Sequence, residues 1–344
     1  MPYMTMTTNR AMTVPEFNTP IVLEHRALPE PARGQVRIRI HACGVCHSDS
    51  YALHGGFPGM RAPLVPGHEI VGTVDALGED AQPWSIGDRV GLGWYGGSCG
   101  WCEPCRRGLL LNCHNTTIPG ISSDGGYADY IVARANALAR VPENLSSAEA
   151  APLMCAGVTT FNGLRHSTAR GGDLVAVLGI GGLGHLAVQF AGKMGFRTVA
   201  IARGADKASF AHELGAERYI DSTVENPGAV LASMGGAKVI VSTVIAADAV
   251  TAAMPGMGIG GELLILGAPS EPLALSPAFL IPGSKRIQGW ASGASMDSQD
   301  TLEFAARNGI RVMTEKMPLE QAGAALDRML SGKARFRVVL ETGA

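Results

Sequence analysis

Leu174-Val175-Ala176-Val177-Leu178 runs directly into Gly179-Ile180-Gly181-Gly182-Leu183-Gly184, and the reading of this join decides the fold. An apolar run bounded by glycine predicts a strand buried on both faces, as in the interior of a parallel sheet. Beyond it, Leu183, Leu186, Ala187, Phe190, Ala191 and Met194 recur at helical spacing until Gly195. In a strand-turn-helix of this form the first glycine permits the tight turn, and the second lets backbone approach a pyrophosphate. The third lets the helix pack on the strand, and the helix N-terminus faces the phosphates. Residues 179–184 are therefore expected to bind a dinucleotide.

The alternation continues downstream. Strands are expected over 198–202, 218–220 and 238–243, with helices over 206–214 and near Val230, and a further strand over 262–266 after a turn at 255–261. This order implies an α/β domain with a doubly wound parallel sheet and right-handed crossovers. After about Gly289 the pattern is less regular, and 336–340 reads as a strand returning to the first lobe. The second strand ends Ala202-Arg203-Gly204, where dinucleotide folds usually place an acid for the ribose hydroxyls. Arg203 and Lys207 can instead meet a 2′-phosphate, so NADP(H) is expected to be favoured, with NAD(H) as the alternative. The competing reading of Arg203 is that it stacks on adenine or points to solvent.

Upstream, from Gln35 to about Val132, short strands lie between Gly/Pro turns: Val36, Ile38 and Ile40 alternate, followed by 69–77, 88–92 and 127–133. A β-rich lobe precedes the α/β one. The chain's 344 residues, 46% of them hydrophobic, suffice for two such lobes. With 17% charged residues, 45 Gly and 20 Pro, it is neither a coiled coil nor a fibrous or disordered chain. Lys+Arg number 28 against 30 Asp+Glu, which leaves no basic surplus for nucleic acid or an anionic membrane. No apolar run is long enough to span a bilayer, and residues 1–10 are polar and Thr-rich, unlike a secretory signal. A cytoplasmic protein with reduced cysteines is expected.

Four of the seven cysteines form Cys99-x2-Cys102-x2-Cys105-x7-Cys113. Such spacing can wrap a tetrahedral Zn²⁺ with no open position, a structural site; iron-sulfur or redox chemistry is the competing reading. Arg106 and Arg107 beside it read as a solvated turn. A second constellation is dispersed: Cys43 and Cys46-His47-Ser48-Asp49, then Gly67-His68-Glu69, then Cys155. Two thiolates and an imidazole could hold a zinc open to substrate. Equally, Cys43 and Cys155 could be small buried hydrophobes and His68 a satisfied core residue.

Taken together, these motifs resemble the zinc-dependent alcohol dehydrogenases of the medium-chain dehydrogenase/reductase superfamily, in particular the yeast-type and bacterial members. The resemblance spans nearly the whole chain and also rests on Pro66-Gly67-His68-Glu69 and on Ala151-Pro152-Leu153-Met154-Cys155 through Thr159. It implies a discontinuous GroES-like catalytic domain, 1–155 and 289–344, with a structural-zinc lobe at 94–115, around a Rossmann domain at 156–288. It implies Cys46, His68 and Cys155 as catalytic-zinc ligands, Glu69 as an alternate ligand, Asp49 as the partner orienting His68, and Cys43 as a bystander. Ser48 would take the alcohol's proton. His47 and Arg337 would face the cofactor phosphates, Thr159 and Ala268 would add cofactor contacts, and Phe57 and Trp94 would line the substrate pocket. Where many members continue the proton relay with a histidine, this chain has Tyr51, a poor terminal base near neutrality. The implied reaction is reversible hydride transfer between a primary or secondary alcohol and NAD(P) in a homodimer or homotetramer. A polyol or cinnamyl-type dehydrogenase is the nearest rival, and a zinc-ribbon nucleic-acid module a remote one.

Overall fold

The computed structural model describes residues 8–269 and 271–343. Most of the polar N-terminal stretch, residues 1–7, lies outside the described residues. Two compact units emerge: one runs to Cys155 and resumes at Gly293, the other spans Ala156–Ser292. The first unit opens with strands β1 (Thr8–Thr13), β2 (Val22–Ala27), β3 (Gln35–Val45), β4 (Ile70–Leu77), β5 (Arg89–Leu92), β6 (Tyr130–Arg134) and β7 (Leu138–Arg140). The second unit holds β8 (Leu174–Leu178), β9 (Arg197–Ala202), β10 (Arg218–Asp221), β11 (Ala237–Ser242), β12 (Met257–Ile265) and β13 (Arg286–Gly289). Strands β14 (Thr314–Pro318) and β15 (Arg337–Glu341) return to the first unit.

In the first unit the alternation of Val36, Ile38 and Ile40 puts all three side chains in the core, with Val74, Val90, Leu92, Val338 and Leu340. β3 organises the sheet, pairing antiparallel with β4, β6 and β15. The expected strand over 336–340 is thus a ladder partner of Ala42–Val45. The stretch after Gly289 departs from expectation, because Ser295–Asn308 is the longest helix described. Its buried positions, Ser298, Thr301, Leu302 and Ala305, have perfect helical spacing, but two of them are polar, so the apolar signal is faint. Gly309, at φ 65°, ends it in the left-handed conformation.

The second unit is a six-stranded parallel sheet in the order β10-β9-β8-β11-β12-β13, doubly wound as its alternating sequence requires. Its centre is apolar throughout: Val175, Ala176, Val177, Val199, Ile201, Val239, Ile240 and Val241 are fully buried. Here the expected turn at 255–261 is corrected, since β12 already begins at Met257. Glycine in that stretch serves close approach: a Cβ on Gly236 would lie 2.5 Å from the Gly258 Cα. The expected helix over 206–214 is shorter and irregular, a 3-10 turn at Ala205–Lys207 followed by Ala208–Glu213. No helix among the described residues is long and apolar enough to cross a membrane.

Candidate active site

The first unit brings Cys46, His68, Glu69 and Cys155 together, one potential ligand atom from each lying within 4.8 Å of the others. Cys46 stands before the helix His47–Leu53, His68 and Glu69 before β4, and Cys155 in a π-helical turn, Leu153–Gly157. Single π-turns often mark functional sites. The two sulfurs are 3.9 Å apart. Zn–S bonds of about 2.3 Å in a tetrahedron place two sulfurs about 3.8 Å apart, so the spacing fits a shared ion and not a disulfide of about 2.05 Å. His68 is fully buried and its Nε2 has no hydrogen-bond partner, which a metal would supply.

Asp49 organises this cluster. Its Oδ2 accepts the Cys46 N–H at 2.8 Å and the Tyr127 hydroxyl at 2.9 Å, while its Oδ1 stands 3.2 Å from His68 Nδ1. One fully buried carboxylate thus ties the helix start, the ring and a phenol from the loop before β6. Orienting the non-ligand nitrogen of a histidine is the usual work of such a group. Burial disfavours charge on His68, yet Asp49 and Cys46 outweigh it and raise the ring's pKa. The sequence pattern places Tyr127 at the start of a strand and carries no sign of its bond to Asp49, whereas Cys46-x-x-Asp49 has the spacing of a helix cap.

Glu69 is fully buried, and one of its oxygens meets the Arg337 guanidinium while Oε2 has no partner. Burial raises its carboxyl to about 7, although Arg337 pulls the other way. Arg337 is itself only 5% exposed, so its guanidinium is engaged by Glu69 in this structure. Ser48 is half-buried in the first helical turn, while His47 is exposed. Aromatic rings continue outward from His68: His68 to Trp94 at 5.0 Å, Trp94 to Phe57 at 5.9 Å, and Phe57 to Tyr51 at 6.1 Å, each edge-to-face. Tyr51 is 48% exposed at the outer end. Cys43 is buried outside the donor cluster.

Cys99, Cys102, Cys105 and Cys113 form a second cluster, with sulfurs 3.3 Å (102 to 105), 3.6 Å (99 to 113), 3.9 Å (102 to 113) and 4.0 Å (99 to 105) apart. These distances bracket the tetrahedral value of about 3.8 Å. Backbone N–H groups of Cys99 and Asn115 donate to the Cys113 sulfur at 3.3 Å each. Leu110 is the one non-cysteine residue of this small core, so little besides the cysteines would hold the lobe together.

In the second unit the turn after β8 has the form its glycines require. Nothing lies within 4 Å of where a Gly181 Cβ would point, leaving the open side that a phosphate needs, whereas a Gly184 Cβ would sit 1.8 Å from the Gly179 carbonyl oxygen. The helix Gly184–Lys193 begins there, with Ile180 buried beneath and Leu183 half-buried. Gly184→Val is expected to destabilise the protein by about 1–3 kcal/mol, through overpacking against backbone, and to abolish nicotinamide-nucleotide binding. Thermal melts and calorimetric titration check both effects. Thr159 is buried in the helix Val158–Arg165, and Ala268 is exposed after β12. Arg203 is exposed at the end of β9, with Lys207 half-buried on the next turn.

Comparison with known proteins accords with this geometry. Residues 32–143 match the model of the alcohol dehydrogenase GroES-like domain, and residues 182–307 that of the zinc-binding dehydrogenase. An alcohol dehydrogenase, notN of an Aspergillus species, is 43% identical over 325 residues, covering 94% of this chain and 95% of that protein. The chain belongs to the zinc-dependent alcohol dehydrogenases of the medium-chain dehydrogenase/reductase superfamily. Among solved alcohol dehydrogenase relatives, a cinnamyl alcohol dehydrogenase from Sorghum bicolor superposes with a TM-score of 0.89 at 29% identity, over 98% of each chain. An acetophenone reductase from Geotrichum candidum, solved with NAD, gives 0.85 at 26% identity over 98% of each chain. As a zinc alcohol dehydrogenase the protein is an NAD(P)-dependent oxidoreductase that acts on small alcohols and their carbonyl partners.

Proposed function

We propose that the reaction takes place at Cys46, His68 and Cys155, with Ser48 as the proton acceptor and flat or unbranched alcohols as substrates. The supporting observation is the donor cluster: two sulfurs 3.9 Å apart and a buried imidazole nitrogen with no partner. Bound there, zinc would supply a Lewis acid to acidify the alcohol, and a bound nicotinamide would supply the hydride acceptor. Cys46, His68 and Cys155 would hold the ion, with Glu69 as an alternate donor. Asp49 keeps the His68 ring from rotating. Ser48 would accept the hydroxyl proton while passing its own on to solvent, since the phenol of exposed Tyr51 is a poor terminal base.

Phe57 and Trp94 narrow the approach to His68 with ring edges and faces, which favours planar substrates over polyols, whose hydroxyls would find few partners there. The cinnamyl alcohol and acetophenone enzymes among the relatives are named for aromatic substrates. The four-cysteine lobe would hold a structural zinc, stabilising the lobe without entering the chemistry. Balanced charge and the dinucleotide turn oppose a nucleic-acid module.

For the cofactor, Arg203 and Lys207 at the end of β9 favour NADP(H), with His47, Thr159, Ala268 and Arg337 as further contacts; a phosphate would then share Arg337 with Glu69. A cytoplasmic homodimer or homotetramer completes the reading. A panel of benzylic, allylic, straight-chain and polyol substrates run with both cofactors tests it. Planar primary alcohols should give the highest kcat/KM, and equal rates with polyols would overturn the pocket assignment. Arg203→Ala should lower kcat/KM with NADPH about 10-fold, the scale of one charge-assisted hydrogen bond, and leave NADH turnover nearly intact.

A further inference from the structure

The turn that carries Arg203 is fixed from the neighbouring strand. β9 ends at Ala202 and β10 at Asp221, and these two residues are register partners in the parallel pair. Past its end, the chain after β10 folds onto the end of β9. The Ser222 N–H donates to the Ala202 carbonyl at 2.9 Å, and Asp221 Oδ1 accepts the Gly204 N–H at 2.9 Å. The Tyr219 hydroxyl donates to the Gly204 carbonyl at 2.5 Å. Both neighbours of Arg203 are thus held through their peptide groups, and Gly204 sits at φ +86°, a conformation costly for any residue with a Cβ. Asp221 is itself anchored, since Oδ1 also accepts the Thr223 N–H at 2.9 Å and the Thr223 hydroxyl at 2.7 Å.

Against this rigid backbone the Arg203 side chain is exposed and makes no hydrogen bond or ion pair among the described residues. A cation whose Cα is already placed has only its side-chain freedom to lose on binding, which favours affinity. Asp206, whose Oδ1 lies 2.6 Å from where a Gly204 Cβ would point, offers a competing carboxylate to an Arg203 released from this arrangement. We propose that Tyr219 and Asp221 are positioning residues that clamp the Gly204 peptide, hold Arg203 for the 2′-phosphate of the cofactor, and thereby set the choice between NADPH and NADH. The proposal rests on the assignment of Arg203 as the phosphate-binding cation.

Calorimetric titration of the zinc-loaded enzyme with NADPH and with NADH tests it without a substrate. Tyr219→Phe and Asp221→Ala should each lower the preference for NADPH, taken as the ratio of the two dissociation constants, by about 10-fold, the scale of one charge-assisted hydrogen bond. Asp221→Asn, which keeps an acceptor oxygen, should restore most of that preference. In an Arg203→Ala background neither substitution should change the ratio further, because the clamp acts only through that side chain. If Arg203→Ala alone leaves the ratio at its native value, the assignment of Arg203 fails, and the clamp with it. If Arg203→Ala lowers the ratio while Tyr219→Phe and Asp221→Ala do not, the clamp is overturned and Arg203 stands, whatever the variants' melting temperatures. Should Asp221→Ala fail to fold, Tyr219→Phe decides.

Discussion

Cys46→Ser is expected to lose one of the two metal ions that the donor clusters would hold and to reduce turnover on the order of 10³-fold or more. A serine hydroxyl is neutral at working pH and a hard, weak donor, so it does not replace a thiolate on zinc. A Lewis acid supplies several kcal/mol of charge stabilisation, and each ~1.4 kcal/mol is tenfold in rate. The fold should survive, because Cys46 is not part of the hydrophobic core cluster of the first unit, its N–H still bonds Asp49, and β3 still pairs with β4 and β15. Metal analysis, steady-state kinetics and a melting curve on one preparation check all three points. Retained turnover with one ion missing would remove the Cys46 cluster from the reaction.

Cys102→Ser should do the opposite. Cys102 lies in a core made of cysteines and Leu110, so losing the ion there leaves the lobe with almost no apolar burial to hold it. Structural zinc in small domains contributes about 10–16 kcal/mol of apparent binding free energy, most of which becomes folding free energy. Surrounding structure limits the damage, and a fall in melting temperature of roughly 5–10 °C is expected, for a loss of a few kcal/mol in a chain of this size. Proteolysis should begin between residues 99 and 113. Molecules that remain folded should turn over near the native rate. A loss of kcat as deep as that of Cys46→Ser, at an unchanged melting temperature, would refute a purely structural role.

The two substitutions differ in how far the affected site could be foreseen. The four-cysteine lobe is closed within 15 residues, so ligand spacing alone carries its geometry. The glycine-rich turn is equally local: strand, glycines and helix are contiguous, and a Gly184 Cβ would strike the Gly179 carbonyl only five residues away. The Cys46 cluster is different, since Cys155 meets Cys46 across 109 residues. Spacing left that constellation open between a metal site and buried hydrophobes, and the resemblance of whole motifs, not any local pattern, singled out three residues of it. Elements whose buried positions are polar or glycine-rich were also poorly legible, as in Ser295–Asn308 and the start of β12.

Local periodicity, turn sterics and cysteine spacing depend on neighbours along the chain, and so the amino-acid sequence by itself determined the α/β sheet, its glycine-rich turn, the β-rich lobe and the four-thiol cluster. Tertiary structure alone decided the pairings with no local signature: Tyr127 on Asp49 across 78 residues, Arg337 on Glu69 across 268, and the Tyr219 and Asp221 clamp on Gly204. A buried carboxylate or guanidinium needs a partner, but its identity depends on which strands lie side by side. Strand adjacency is fixed by burial of the whole sheet, and not by the few residues that meet across it.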